Sequence, residues 1–180
     1  GKKLYISAAI IILTLPFWFK NLDSSFYAIY LSREPIGLDA VDSERFDGFY
    51  VIGADGFGNE HYVETLNNGI SILRRNLNAS DRIINLSFEN PFSFALGLTP
   101  AKNDMLIWHY GMTFNTSHYL PTETVFSDCT HVIYPLREDA ESTKPLLSIY
   151  GEFLLNNFVL IGQSEYWVLL QKLEHSTIFS

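Results

Sequence analysis

The chain has 180 residues, of which 47% are apolar, 15% aromatic and 18% charged. This length and composition suit one folded domain with a substantial core, and they exclude disordered and collagen-like chains. Twelve basic and 20 acidic residues give a net charge of -8, which disfavours nucleic acid as a partner because phosphate contacts need clustered Lys and Arg. The single cysteine, Cys129, cannot form an internal disulfide or a Cys-x-x-Cys metal pair.

The first element is an uncharged run of sixteen residues from Leu4 to Phe19, with lysines on both sides. As a helix it would span roughly 24 Å, short of the roughly 30 Å hydrocarbon core of a bilayer. It ends in Pro-Phe-Trp-Phe, which disfavours signal-peptide cleavage and is typical of aromatic residues at headgroup level. The run predicts a helix in contact with membrane lipid, either an anchor or the end of a last transmembrane helix. The alternative is a core segment of a soluble protein.

The charge distribution predicts the orientation of this anchor. The three lysines of residues 1–20 all flank the run, which leaves 9 basic and 20 acidic residues in 21–180. This asymmetry favours a cytoplasmic N-terminus and an exported domain. We therefore expect a membrane protein whose domain faces away from the cytoplasm. The predicted divisions are an anchor at 1–20, a connector at 21–47, an α/β domain at 48–174 and a tail at 175–180.

Within the domain, apolar periodicity predicts strands alternating with helices. Strands are expected at 49–52, 81–88, 105–108, 131–134, 158–161 and 166–170, and helices at 59–77 and 143–156, the latter capped by Thr143. Shorter helical turns are expected within 91–98 and 121–126. The last two strands are joined by a short turn and read as a hairpin. The order predicts a three-layer, Rossmann-like α/β fold, with a mainly parallel sheet and a C-terminal antiparallel hairpin, preceded by the apolar N-terminal helix.

Candidate ligand-binding residues follow the predicted strands, because ligands of open parallel sheets bind beyond the carboxyl ends of the strands. The alternative is that these loop residues are polar only because they are solvated. The set comprises Asp55, Gly56, Gly58, Asn59, Glu60, Glu89, Asn90, His109 and Arg137.

The glycine-rich turn at residues 53–58 does not match a known phosphate-binding motif. Its spacing is G-x-x-G-x-G rather than G-x-G-x-x-G, and no Lys-Ser or Lys-Thr pair follows. It also lacks a calcium-loop pattern, and the histidines and Cys129 lack zinc spacing. With no complete catalytic signature either, we predict no catalytic residue, no metal site and no cofactor for this chain.

Two segments carry a resemblance to a known family: NPFSFALGL at 90–98 and YWVL at 166–169, behind an apolar helix and a connector. Over residues 4–172 the chain resembles the C-terminal extracytoplasmic domain of bacterial multi-spanning glycosyltransferases that use lipid-linked sugars. The resemblance implies a non-catalytic accessory or binding domain, because the catalytic carboxylates of that family lie in an early extracytoplasmic loop of the membrane portion, which this sequence does not contain. It also implies a protein of the bacterial inner membrane whose domain faces the periplasm or the cell exterior. It implies a glycan, a lipid-linked sugar or a partner membrane protein as ligand.

Two other functions remain open at the level of sequence. One is a soluble Rossmann-like transferase that binds a nucleotide or S-adenosylmethionine at the glycine turn. The other is a single-pass anchored envelope interaction protein, which shares the anchor but needs no parent enzyme.

Overall fold

The computed structural model describes residues 39–47, 50–51, 62–136 and 142–173. They all belong to the second of the two units into which the chain divides, Asp39–Ser180. The predicted anchor at 1–20, most of the predicted connector and the predicted tail lie outside these residues. Within the part of the chain that is described, no helix has both the length and the apolar character to span a bilayer.

The described elements form a mixed α/β fold. A two-stranded antiparallel sheet pairs β1 (Asp39–Ala40) with β2 (Tyr50–Val51), and a 3-10 turn at Glu44–Phe46 lies between them. The remaining elements are α1 (Tyr62–Asn76), β3 (Ile83–Asn85), α2 (Phe92–Leu96), α3 (Thr122–Val125), β4 (His131–Pro135), α4 (Thr143–Asn157), β5 (Phe158–Gln163) and β6 (Trp167–Lys172).

The larger sheet has the strand order β3-β4-β6-β5. Strands β3 and β4 are parallel, while β4 pairs antiparallel with β6 and β6 pairs antiparallel with β5. The predicted C-terminal hairpin is confirmed and is longer than expected at both strands. The prediction of a mainly parallel sheet is wrong for the described strands, since one pairing of three is parallel.

Two predicted strands account for the difference. Residues 50–51 pair with β1 in the small sheet instead of entering the large one. Residues 105–108 do not form a sheet strand and contribute one antiparallel bridge, between Glu89 and Ile107. The place beside β4 is taken by β6, which pairs antiparallel with it.

Helices cover both faces of the large sheet, and successive strand residues point to opposite faces. On one face, Ile83 and Ile133 pack with the buried residues of α1 and with Phe92 of α2. On the other face, Ile84 and Val132 pack with the buried residues of α4. The described domain therefore has two cores, one on each side of the sheet.

The first core is fixed by a close approach of α1 to its neighbours. The Trp167 indole N–H donates to the Thr65 carbonyl at 2.8 Å, so β6 is tied to the backbone of α1. At Gly69 an added Cβ would lie 2.5 Å from Phe92 Cζ and 3.0 Å from Trp167 Nε1. The predicted apolar spacing of α1 is confirmed, and the helix needs glycine here because the two rings occupy the space of a side chain.

The second core is closed by α4, which begins at the residue predicted from the sequence. Thr143 is the first helical residue rather than the cap, which is Ser142. The Thr143 hydroxyl instead donates to the Leu86 carbonyl at 2.9 Å, just beyond β3. The side chain predicted to cap the helix thus joins the helix to the sheet, because both groups are buried and need partners.

Candidate functional site

The structure describes three of the nine candidate ligand-binding residues and brings them together. Glu89, Asn90 and His109 lie on two adjacent chain segments that follow β3 and precede α3. The other six residues lie outside the described part of the chain: Asp55, Gly56, Gly58, Asn59, Glu60 and Arg137.

Backbone hydrogen bonds hold the two segments side by side. The Asn90 amide donates to the Leu106 carbonyl at 3.1 Å, and the Trp108 amide donates to the Phe88 carbonyl at 2.9 Å. These bonds flank the bridge between Glu89 and Ile107. The segment predicted as a third parallel strand therefore covers the end of β3 from the side.

Beneath these segments is a polar cluster of Asn85, Asn90 and Asp104, which we call the Asn85–Asp104 cluster. Asn85 ends β3 and is fully buried, and its Nδ2 donates to the Glu89 carbonyl at 2.8 Å. The Asn90 Nδ2 donates to Asp104 Oδ2 in a short hydrogen bond. The backbone N–H of Asn85 also donates to the Asp104 carboxyl group, which links all three residues.

Three oxygen atoms of this cluster have no hydrogen-bond partner among the described residues. They are Asn85 Oδ1, Asn90 Oδ1 and Asp104 Oδ1, and all three atoms are buried. Amide and carboxylate oxygens only accept hydrogen bonds, so the cluster has acceptors in excess of donors. A buried acceptor without a partner costs about 1–3 kcal/mol, and protonation of Asp104 or a bound molecule can supply a donor.

The Asp104 carboxyl group titrates near neutrality. Burial raises its pKa from 3.8 to about 7, and the hydrogen bonds from Asn90 and from the Asn85 backbone act in the opposite direction. Below this pKa the carboxyl group is protonated and can donate one hydrogen bond. Above it the cluster holds a charge that is largely removed from water.

Glu89 connects the cluster to α1. The Tyr62 side chain hydrogen-bonds with Glu89. Burial raises the pKa of the Tyr62 hydroxyl, and the hydrogen bond and the negative charge of Glu89 raise it further. The Tyr62 hydroxyl therefore stays protonated and donates to the glutamate. Ser87 Oγ donates to the Glu89 carbonyl at 2.8 Å, so both ends of Glu89 are fixed.

Aromatic side chains lie beside the cluster at the surface. The rings of Phe88 and His109 meet edge to face with their centroids 5.5 Å apart, and Phe88 is half exposed. His109 Nδ1 lies 3.0 Å from the Tyr110 carbonyl, and the His109 amide donates to Thr113 Oγ1 at 2.8 Å. The two rings are thus held in place next to Glu89 and Asn90.

Metal-binding chemistry of the usual kind is not found here. Across the residues that the structure describes, no three His, Cys, Asp or Glu side chains are grouped as metal ligands. Cys129 is buried, and burial raises the pKa of its thiol to about 12. His131 is also buried, and burial lowers its pKa.

The most buried members of the site, Asn85 and Asp104, are not among the residues predicted from the sequence. Asn85 interrupts an apolar strand at a position that is fully buried, and such a polar residue in a strand is a detectable signal. Asp104 lies in an irregular loop, nineteen residues beyond Asn85, and nothing local in the sequence indicates that the two meet.

A separate cleft of about 930 Å³ lies beside the 3-10 turn and includes Arg45 and Arg74. Both arginines have contacts with the protein. Arg74 pairs with Asp42 at 3.0 Å, and the Arg45 guanidinium lies 5.9 Å from the centre of the Phe94 ring. Acidic residues line the same cleft, so it offers no concentrated positive charge for an anion.

Comparison with protein-family models, with curated proteins and with solved structures yields no match. The case for a function therefore depends on the residues and contacts described above.

Proposed function

We propose that this chain is a non-catalytic binding domain of a membrane-bound, glycosyltransferase-like protein, and that it binds a glycan at the Asn85–Asp104 cluster. The observation that carries the proposal is the set of three buried oxygens that have no hydrogen-bond partner in the described part of the chain. Sugar hydroxyls are hydrogen-bond donors, so a glycan can supply the groups that the cluster lacks. Binding of this kind needs only a small number of placed polar groups in a mostly apolar surrounding.

The surroundings of the cluster also suit a sugar. Phe88 and His109 present rings beside Glu89 and Asn90, and the apolar C–H faces of sugar rings pack on aromatic side chains. Asn90 and Asp104 are partly exposed residues, so the cluster lies next to the protein surface. Amide groups, a carboxyl group and aromatic rings together provide both polar and apolar recognition.

A binding role is favoured over hydrolysis by the number of available carboxyl groups. Glycoside hydrolysis uses two carboxyl groups flanking the scissile bond. The cluster contains one, Asp104, and the neighbouring Glu89 is engaged by the Tyr62 side chain.

Membrane attachment is inferred from the uncharged run at residues 4–19, and exposure to the periplasm or cell exterior is inferred from the flanking lysines.

The transferase alternative has less support. Its expected ligand site, the glycine turn at residues 53–58, lies outside the described residues, and the described sheet has one parallel pairing rather than several. The other alternative, a single-pass envelope protein, would lack the parent glycosyltransferase. The binding chemistry proposed for the cluster would be the same in either protein.

The test is binding of the full chain, in detergent micelles, to an array of bacterial oligosaccharides, followed by calorimetric titration with the best-bound sugar. Loss of one hydrogen bond of roughly 1–1.5 kcal/mol weakens binding about 5- to 10-fold, and we expect this from Asn90→Ala. Asn156→Ala is the matched control, because Asn156 is exposed on α4. Absence of any bound oligosaccharide, or equal affinity of wild type and Asn90→Ala, would contradict the proposal.

A further inference from the structure

The connection between α2 and α3, residues 97–121, is 25 residues long and contains no helix or strand of its own. Connections of this length inside a compact domain are uncommon and are usually functional. The packing and the exposed side chains of this connection indicate which function it has.

The connection is held in a fixed shape by rings that enter the core. Trp108 and Phe114 are buried, and their rings meet edge to face with the centroids 5.7 Å apart. The Trp108 ring also packs edge to face against Tyr150 of α4, with the centroids 6.4 Å apart. A tight turn follows, in which the Gly111 amide donates to the Phe114 carbonyl at 2.8 Å. Gly111 has a φ of 84°, which a residue with a side chain rarely adopts.

The same connection exposes large apolar side chains. Leu106 is 75% exposed and Met112 is 79% exposed, and Met112 lies in the turn that contains Gly111. Tyr110 and Tyr119 are also exposed, and each contacts a ring of the buried group, Phe114 and Tyr150 respectively. The exposed apolar members of the connection are Leu106, Ile107, Tyr110, Met112, Tyr119 and Leu120.

This surface lacks charged side chains. Residues 105–122 contain no Asp, Glu, Lys or Arg, although the chain as a whole has 12 basic and 20 acidic residues. The segment contains two histidines, His109 and His118. An acidic protein is repelled by anionic lipid, and an uncharged surface with exposed Leu, Met and Tyr is the part that can approach a bilayer.

We propose that the exposed apolar side chains of residues 105–120 insert into the interfacial region of the membrane to which the chain is attached. Leu106 and Met112 would lie at the acyl boundary and the tyrosines at headgroup level, as these residue types do in membrane proteins. Attachment through the run at residues 4–19 keeps the domain close to lipid, so a weak contact is sufficient. This inference rests on the membrane attachment of the proposed function and not on its glycan ligand.

The test uses the full chain reconstituted in vesicles of phosphatidylcholine with and without phosphatidylglycerol. An environment-sensitive fluorophore is attached at Met112→Cys or, as the matched control, at Leu155→Cys, because Leu155 on α4 is 84% exposed. The native Cys129 is buried and does not compete for the label. Quenching by lipids that carry a nitroxide on the acyl chain reports insertion.

We expect severalfold stronger quenching and a shorter emission wavelength at position 112 than at position 155. Leu106→Asp in the 112-labelled protein should reduce the quenching, since a carboxylate opposes insertion, whereas Lys144→Asp on α4 should not. Equal quenching at the two positions, no quenching at either, or the same emission shift in lipid-free protein would overturn the inference. Glycan binding is measured separately in micelles. A negative quenching result therefore contradicts membrane insertion without contradicting the proposed glycan site.

Discussion

Replacing Asp104 with asparagine removes the ionisable side chain of the Asn85–Asp104 cluster while keeping its shape. In the folded protein burial raises the pKa of Asp104 from 3.8 to about 7. A carboxyl group whose pKa is higher in the folded state binds its proton more tightly there, so the folded state is favoured at low pH. This contribution is complete below about pH 4 and is lost as the pH rises towards about 7.

The magnitude follows from the two pKa values. A difference of about three pKa units corresponds to about 4 kcal/mol over the whole titration, and roughly 2 kcal/mol of it falls between about pH 5.5 and about pH 8. The free energy of unfolding of the wild type should therefore fall by roughly 2 kcal/mol more than that of Asp104→Asn over this interval. The amide of the variant has no charge to bury, so at about pH 8 the variant should be at least as stable as the wild type.

The assay is urea unfolding of both proteins at the two pH values, followed by tryptophan fluorescence. The buried His131, whose pKa is lowered by burial, destabilises both proteins equally as the pH falls and cancels in the comparison. Asp47→Asn serves as the control, because Asp47 is exposed and lies outside the cluster. The reasoning is refuted if Asp104→Asn has the same pH dependence as the wild type, or if the wild type is the more stable protein at the higher pH.

Three further predictions concern the two cores. Gly69→Ala places a Cβ 2.5 Å from Phe92 Cζ and should lower the free energy of unfolding by about 1–3 kcal/mol in urea denaturation. The control is Gly151→Ala, whose Cβ meets no atom within 4 Å and which should be neutral or stabilising in the same assay. Equal effects of the two substitutions would mean that the ring beside α1 moves aside freely. Thr143→Val removes the hydrogen bond that joins α4 to the end of β3 and should cost about 1–3 kcal/mol, measured as a lower urea midpoint; an unchanged midpoint would show that the bond contributes nothing. The Cys129 thiol, buried and with its pKa raised to about 12, should react with iodoacetamide only as fast as the protein opens, and rapid labelling of the folded protein would disprove its burial.

The sequence was a good guide where structure is set by neighbouring residues. The three- and four-residue spacing of apolar side chains predicted α1 and α4, and the short polar turn predicted the hairpin of β5 and β6. Strand pairing was a different matter, because alternation along a strand specifies which face is buried and not which strand lies alongside. Residues 105–108 have a strand-like pattern, yet they form a single bridge with Glu89 because Trp108 enters the core beside α4.

The candidate site shows the same division. Polar residues after β3 and before α3 were identified from their position after apolar runs, and Glu89, Asn90 and His109 do lie together. Asn85 and Asp104 were not found, since their meeting depends on how the loop before residue 105 folds back over the edge of β3. The Asp104 carboxyl group is buried only once the chain has folded, and its pKa of about 7 results from that burial.

By itself the sequence determined the composition of the elements: an uncharged N-terminal run, two amphipathic helices, a terminal hairpin and an uncharged segment at residues 105–122. These properties depend on which residues are close along the chain. The tertiary structure alone decided the strand order, the filling of the space at Gly69 by two rings, and the burial of three oxygens that lack partners among the described residues. Each of these depends on contacts between residues far apart in sequence. The binding chemistry proposed for this protein comes from that second group of contacts.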